Sequence, residues 1–198
     1  MKLHVEIAMR TEFPKADLFA MHRLRAKVFS GRMGWQVPVM SGMEIDGYDA
    51  MDPYYMMMRE SGDGGILRGC WRLLPTVGPY MLKDTFPDFL HGQAAPEDEH
   101  IWELSRFAIE TGGSQNYGFS DITIQSIAEI IRYGHAQGIA QYVTVTATAI
   151  ERMLRRAGLV TRRLGAPLSR DGETAVAIFV DIEASMQSLG LARVSPLN

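Results

Sequence analysis

Apolar and polar residues alternate from Leu3 to Met9, with Leu3, Val5, Ile7 and Met9 on one face, as in a half-buried strand. Pro14 suits the opening of a helix, and Leu18, Met21, Arg25 and Val28 follow at helical spacing. Residues 30–52 lose all periodicity and read as a long ordered loop, of the kind that usually carries function. Pro53 to Glu60 and Ile66 to Leu74 read as two strands of a hairpin, joined through Ser61 to Gly65. A short helix is expected over Tyr80 to Phe86, then a polar loop to His100 and a strand over Ile101 to Glu110. Ser120 to Gln137 is the clearest helix, with Ile127, Ile130, Ile131 and Gly134 on one stripe and Gly138 as its stop. Gln141 to Thr148 is a β-branched strand, and Thr148 with Glu151 reads as a capping box opening a helix that ends at Gly158. Val160 to Leu164 and Thr174 to Ile182 read as strands, and Ala184 to Leu189 as a last helix. Alternating strands and helices predict an α/β fold whose sheet is covered on both faces, built as a single domain over 1–198.

Composition narrows the class. Of the 198 residues, 46% are apolar and 22% charged, a balance that supports a packed core. Lys and Arg number 20 against 23 Asp and Glu, a net charge of −3 that argues against a general nucleic-acid coat. No apolar run reaches the roughly 20 residues that span a bilayer, and His4 and Glu6 fall where a signal peptide would be apolar. The single cysteine, Cys70, cannot form an internal disulfide, and no CxxC pattern is present. The expectation is a cytoplasmic protein with neither metal nor cofactor.

Three groups of residues stand out. Arg25 lies on the apolar stripe of the first helix and requires an anionic partner, because burying a lone charge is prohibitive. A structural salt bridge is the simpler reading. Glu44, Asp46 and Asp49 place three carboxylates in six residues, without the spacing of a calcium loop. Glu103, Ser105 and Arg106 interrupt an apolar strand; by its two-residue period Glu103 and Ser105 share a face and Arg106 points away. Glu103 then either pairs with Arg72, in its own apolar strand, or faces a substrate. The five histidines share no ligand spacing, and no dinucleotide or phosphate-loop glycine motif occurs.

Taken in order, Arg25, Phe29, Trp35, Glu44, Asp46, Asp49, Arg72, Phe86, Glu103 and Arg106 match the hallmark positions of the LuxI-type acyl-homoserine-lactone synthases. The strings Arg72-Leu-Leu-Pro-Thr76, Pro79-Tyr-Met-Leu82 and Trp102-Glu-Leu-Ser-Arg-Phe107 are similar as well, and beyond residue 110 the likeness is confined mainly to Thr144–Gly158. The resemblance implies a three-layer α/β/α sandwich around a mixed, GNAT-like sheet. It implies two substrates, S-adenosylmethionine and an acyl thioester carried by acyl-carrier protein or CoA. The amine of S-adenosylmethionine is acylated, and lactone closure then expels 5′-methylthioadenosine.

On this reading Arg25, Phe29, Trp35, Asp46, Asp49 and Arg106 bind S-adenosylmethionine. The aromatic rings face its sulfonium or adenine, the acids its cationic groups, and an arginine its carboxylate. Glu103, with Ser105 and Arg106, is the catalytic group, Glu103 acting as general base for the amine. Backbone N–H groups near Arg106 and Phe107 meet the oxyanion. For Glu103 and Arg106 to serve one cleft, the strand must bulge between them or present them from different sides. Glu44, Arg72 and Phe86 support the site, and Phe107, Thr144 and Thr146 line the acyl pocket.

The loop at 30–52 is expected to close over S-adenosylmethionine. From Glu151 to Arg163 five arginines face one glutamate, so Arg152, Arg155 and Arg156 form a basic helix face suited to an acidic carrier protein. A monomer without nucleic-acid or membrane partners is expected. The alternatives are a GNAT-class N-acyltransferase using acyl-CoA, although its pyrophosphate loop is missing, and a non-catalytic binder of S-adenosylmethionine or acyl chains.

Overall fold

A computed structural model describes residues 3–61, 65–110, 121–170 and 172–191. In chain order the strands are β1 (Leu3–Met9), β2 (Val39–Met40), β3 (Met43–Glu44), β4 (Tyr54–Glu60), β5 (Leu67–Pro75), β6 (Ile101–Ile109), β7 (Gln141–Ala147), β8 (Thr161–Arg163), β9 (Leu168–Arg170) and β10 (Glu173–Asp181). The α-helices are α1 (Lys15–Ala26), α2 (Met81–Asp84), α3 (Asp121–Ala136), α4 (Thr148–Arg156) and α5 (Ile182–Ser188). The chain divides into two compact units, Met1–Leu74 with Leu104–Ser126, and Pro75–Glu103 with Ile127–Asn198.

In the first unit the strands run in the order β1-β4-β5-β6, with β1–β4 and β4–β5 antiparallel and a register shift at Met58/Arg59. The tip of the β4–β5 hairpin at 62–64 lies outside the described residues. Helix α1 begins one residue after Pro14 and buries Met21, Leu24 and Arg25. With Phe13, Val28, Phe29, Tyr55, Met57, Leu67, Cys70 and Ala108 the apolar members of this stripe form the core.

The long loop has more structure than its lack of periodicity suggests. Helix α1 runs into a widened π turn over Lys27–Arg32, where Met33 N–H reaches back to the Val28 carbonyl (2.9 Å). The β2–β3 hairpin and a 3₁₀ turn at Gly47–Ala50 follow. The acidic residues themselves build that last turn. Tyr48 N–H donates to Asp46 Oδ1 (3.0 Å), and Asp46 N–H donates to Asp49 Oδ2 (2.8 Å).

In the second unit the order is β6-β7-β10-β8, with β9 also on β10. Here β6 runs parallel to β7 through Ile101–Glu103, and every pairing of β10 is antiparallel. The α/β fold with a mixed sheet is therefore as expected. Helix α3 buries Ile127, Ile130 and Ile131, and lays Gly134 against Tyr142 of β7, whose hydroxyl donates to the Ile130 carbonyl (3.0 Å).

One local expectation fails. Thr148 does not cap α4: it is the first helical residue, Ala147 takes the cap position, and no side chain bonds there. Glu151 is buried instead against Arg163, accepting at 2.8 and 2.6 Å, because an available guanidinium outcompetes a backbone amide for a carboxylate. The short helix expected at 80–86 is present as the single turn of α2, Met81–Asp84, and a 3₁₀ turn at Pro87–Leu90 follows it.

Candidate functional site

The stripe of α1 and the acidic loop meet in the first unit. Arg25 is fully buried; its Nε donates to Glu44 Oε2 (2.5 Å), and its two Nη groups donate to Asp49 Oδ1 and Oδ2 (2.7 and 2.9 Å). Arg72, from β5, is equally buried and donates to both oxygens of Asp46 (2.5 and 3.1 Å), to Asp49 Oδ1 (3.0 Å) and, through Nε, to Ser105 Oγ (3.1 Å). Arg106, from β6, donates to Glu44 Oε1 (3.0 Å) and lies 2.8 Å from Asp46 Oδ2. Three guanidiniums thus meet three carboxylates, a neutral cluster whose buried charges are paired on every side. Every buried side-chain nitrogen and oxygen among the described residues has a hydrogen-bond partner.

Arg106 departs from the strand period. Its φ is +58° in the middle of β6, in the left-handed region that a non-glycine residue rarely adopts inside a strand. Ser105 and Arg106, adjacent in sequence, both reach the same cluster, Ser105 through Arg72 and Arg106 through Glu44 and Asp46. The expectation that Arg106 turns away from Ser105 is corrected by this one dihedral angle.

Electrostatics follow from the pairing. Burial alone would raise the Asp49 carboxyl, but hydrogen bonds from Arg25 and the charges of Arg25 and Arg72 hold it far below the usual carboxylate range. Burial would likewise lower Arg25, and its bonds to Asp49 and Glu44 outweigh that and raise it. Asp46 and Arg106 are the members with solvent access, each side chain 11% exposed. Beside them Phe29 stacks parallel on Trp35 (centroids 5.4 Å apart, planes at 4°), and the Arg106 guanidinium lies 5.7 Å from the Phe29 ring. Phe107 packs against Trp71 at 4.3 Å. Arg25, Phe29, Trp35, Glu44, Asp46, Asp49, Arg72, Ser105 and Arg106 are thereby brought into one neighbourhood.

In the second unit Glu103 is buried, and its oxygens accept from the N–H groups of Met81 (2.9 Å) and Leu82 (2.7 Å). Phe86 caps the 3₁₀ turn at Pro87–Leu90 and meets Phe89 edge-on (6.3 Å). Thr144 is buried and Thr146 half-buried on β7. On α4, Arg152, Arg155 and Arg156 are all exposed, and Arg155 also donates to Thr161 Oγ1 (2.7 Å) and pairs with Glu151.

Sequence reasoning missed two members of the first site. Tyr55 donates its hydroxyl to Asp49 Oδ1 (2.6 Å), and His22 places Nδ1 2.9 Å from the Glu44 carbonyl. His22 lies three residues before Arg25 and so shares its helix face; that spacing was the available signal. Tyr55, one aromatic residue in an apolar strand, carries none.

The autoinducer synthase family model matches residues 10–189. The chain belongs to the LuxI-type autoinducer synthases. It is 49% identical over 183 residues to an acyl-homoserine-lactone synthase of Pseudomonas aeruginosa PAO1, covering 92% of this chain and 91% of that protein. The crystal structure of the acyl-homoserine-lactone synthase LasI superposes with a TM-score of 0.88 at 45% identity, over 100% of this chain and 99% of that one. BjaI, described as a CoA-dependent synthase and solved with S-adenosylmethionine and isopentyl-CoA, matches at TM-score 0.80 and 26% identity, over 97% and 90% of the two chains. An acyl-CoA N-acyltransferase from Pseudomonas aeruginosa, 13% identical at TM-score 0.60, shares the fold. As an autoinducer synthase the chain is an acyltransferase that makes a quorum-sensing acyl-homoserine lactone from S-adenosylmethionine and an acyl donor. Among the described residues no helix is long and apolar enough to cross a membrane.

Proposed function

We propose that the arginine–carboxylate cluster holds the amino-acid end of S-adenosylmethionine through its two accessible members. Asp46 faces the ammonium, Arg106 forks the carboxylate, and Phe29 with Trp35 faces the sulfonium or the adenine. Arg25, Glu44, Asp49 and Arg72 form the buried frame that fixes those two groups, and Ser105 aligns Arg72. The observation that carries this reading is the graded exposure of the cluster: Asp46 and Arg106 are 11% exposed, whereas the side chains of Arg25, Glu44 and Arg72 are at 0% and that of Asp49 at 3%. A neutral set of paired charges suits a zwitterionic group, since each charge of the ligand can exchange with one of the opposite pair.

Glu103 is the general base, its carboxylate held in place by the Met81 and Leu82 N–H groups. An α-amino group titrates near about 7.7–8.0, so at neutral pH only modest help is needed to expose the nucleophile. Nitrogen attacks the thioester carbonyl, backbone N–H groups near Arg106 and Phe107 meet the oxyanion, and the thiol leaves. The carboxylate of the acylated methionyl group then displaces 5′-methylthioadenosine as the lactone closes. Phe107, Thr144 and Thr146 contact the acyl chain.

The acyl donor is a carrier protein docking at the exposed arginines of α4, with Arg152 and Arg156 as principal contacts. The chain acts as a monomer in the cytoplasm, where both substrates are made. Incubating purified enzyme with S-adenosylmethionine and either acyl-carrier protein or acyl-CoA tests the scheme by mass spectrometry. Lactone and 5′-methylthioadenosine in equal amounts, faster from the carrier protein, are expected; equal rates from both donors at all salt concentrations would refute the docking assignment.

A further inference from the structure

The Glu44–Asp49 segment is held at its two ends by side chains from rigid elements. At one end His22 of α1, 5% exposed, sits with Nδ1 2.9 Å from the Glu44 carbonyl; a carbonyl only accepts, so Nδ1 carries the proton. At the other end Tyr55 of β4, fully buried, donates to Asp49 Oδ1 (2.6 Å), while Asp49 Oδ2 receives the Asp46 N–H (2.8 Å). The two rings meet edge-on at 6.2 Å, so the two clamps form one packed unit beneath the loop. Between the clamped ends lies Asp46.

We propose that His22 and Tyr55 are positioning residues for S-adenosylmethionine, setting the place of Asp46 by fixing Glu44 and Asp49. The inference rests on the reading of Asp46 as a contact for the substrate's ammonium. It asks more of the two side chains than core filling does: one hydroxyl and one ring nitrogen, aimed at the ends of the substrate-binding segment, matter beyond their volume. Four polar groups face His22: Arg25 on its own helix, Glu44 on β3, Asp49 on the 3₁₀ turn and Tyr55 on β4. Burial, reinforced by the Arg25 charge, keeps the imidazole neutral to below its ordinary range. Protonation at Nε2 adds a second cation beside Arg25 and loosens the loop, so substrate affinity falls on the acid side.

The test measures KM for each substrate, kcat and Tm in Tyr55→Phe, His22→Leu, His22→Asn and Asp46→Asn enzymes between about pH 5.5 and 8. Tyr55→Phe keeps the ring and loses a hydrogen bond to a charged group, so KM for S-adenosylmethionine should rise about tenfold. The acyl-donor KM and kcat should stay within about twofold, as expected when only uniform binding of one substrate is lost. His22→Leu should behave alike, and His22→Asn, which restores an N–H donor, should recover affinity while flattening the acid limb of the profile. Unchanged KM in Tyr55→Phe, or equal rises in both KM values in step with a lower Tm, would overturn the proposal. An unchanged KM in Asp46→Asn would overturn the loop reading and this inference with it; a raised KM there alone would overturn only the positioning roles.

Discussion

Replacing Asp49 by Asn probes the cluster at its hub. Asp49 accepts from Arg25 twice, from Arg72, from the Tyr55 hydroxyl and from the Asp46 N–H, all at 3.0 Å or less. An amide keeps the shape, but offers one accepting oxygen in place of two and turns an NH₂ toward existing donors. It also leaves the three guanidiniums facing two carboxylates in a buried site. Breaking a buried pair from one side costs about 3–5 kcal/mol, a large part of the 5–15 kcal/mol typical of a domain. At about 2–4 °C per kcal/mol for a chain of this length, Tm should fall by about 6–20 °C. The double variant Arg25→Met/Asp49→Leu removes one charge of each sign and restores neutrality, so its loss should be smaller than the sum of its two single variants. The pH dependence has a definite sign. The Asp49 carboxyl lies far below its unfolded value of about 3.9, so its contribution is complete above that value and is lost as pH falls toward the folded one. Asp49→Asn should therefore lose less stability than the parent between pH 5 and 2. Urea unfolding at several pH values measures both effects; a loss under about 1 kcal/mol at pH 7 would refute the view of Asp49 as a buried charge hub.

Glu103→Gln should lower kcat by about 100-fold or more, while S-adenosylmethionine binding by calorimetry stays within a few-fold. Because the amide cannot accept from both Met81 and Leu82, a modest fall in Tm should accompany it. Gly134→Ala places a Cβ 2.8 Å from the Tyr142 hydroxyl and 3.0 Å from Ile182, so stability should drop by about 1–3 kcal/mol in urea, despite alanine's better helix propensity. Arg152→Glu/Arg156→Glu should raise KM for acyl-carrier protein, most at low salt, and leave KM for S-adenosylmethionine unchanged.

Periodicity was a good guide where burial is one-sided. The β1 face, the α1 stripe and the isoleucine ridge of α3 follow from spacing alone, and Arg25 announced an ion pair because nothing else tolerates a charge on an apolar stripe. It was silent where side chains, not periodicity, build the backbone. The 3₁₀ turn at Gly47–Ala50 exists because Asp46 and Asp49 bond the local amides. Arg106 reaches the cluster because one dihedral lies at +58°, a choice set by its partners Glu44 and Asp46, 62 and 60 positions away in the chain. The capping box at Thr148 failed for a related reason: local pattern rules assume that Glu151 has nothing better to bond, and Arg163 supplies it. Tyr55 was invisible since its hydroxyl finds Asp49 only after β4 and the loop have packed.

Calorimetric titration of two ligands into the parent and Asp46→Asn proteins decides whether Asp46 and its arginine partners read the amino-acid end of S-adenosylmethionine. 5′-Methylthioadenosine carries the adenosine and thioether but lacks the ammonium, the carboxylate and the sulfonium charge. Asp46→Asn should weaken S-adenosylmethionine by about tenfold or more while 5′-methylthioadenosine binds as before. Equal affinity of the two proteins for S-adenosylmethionine, or equal weakening of both ligands in the variant, would rule out that role for Asp46.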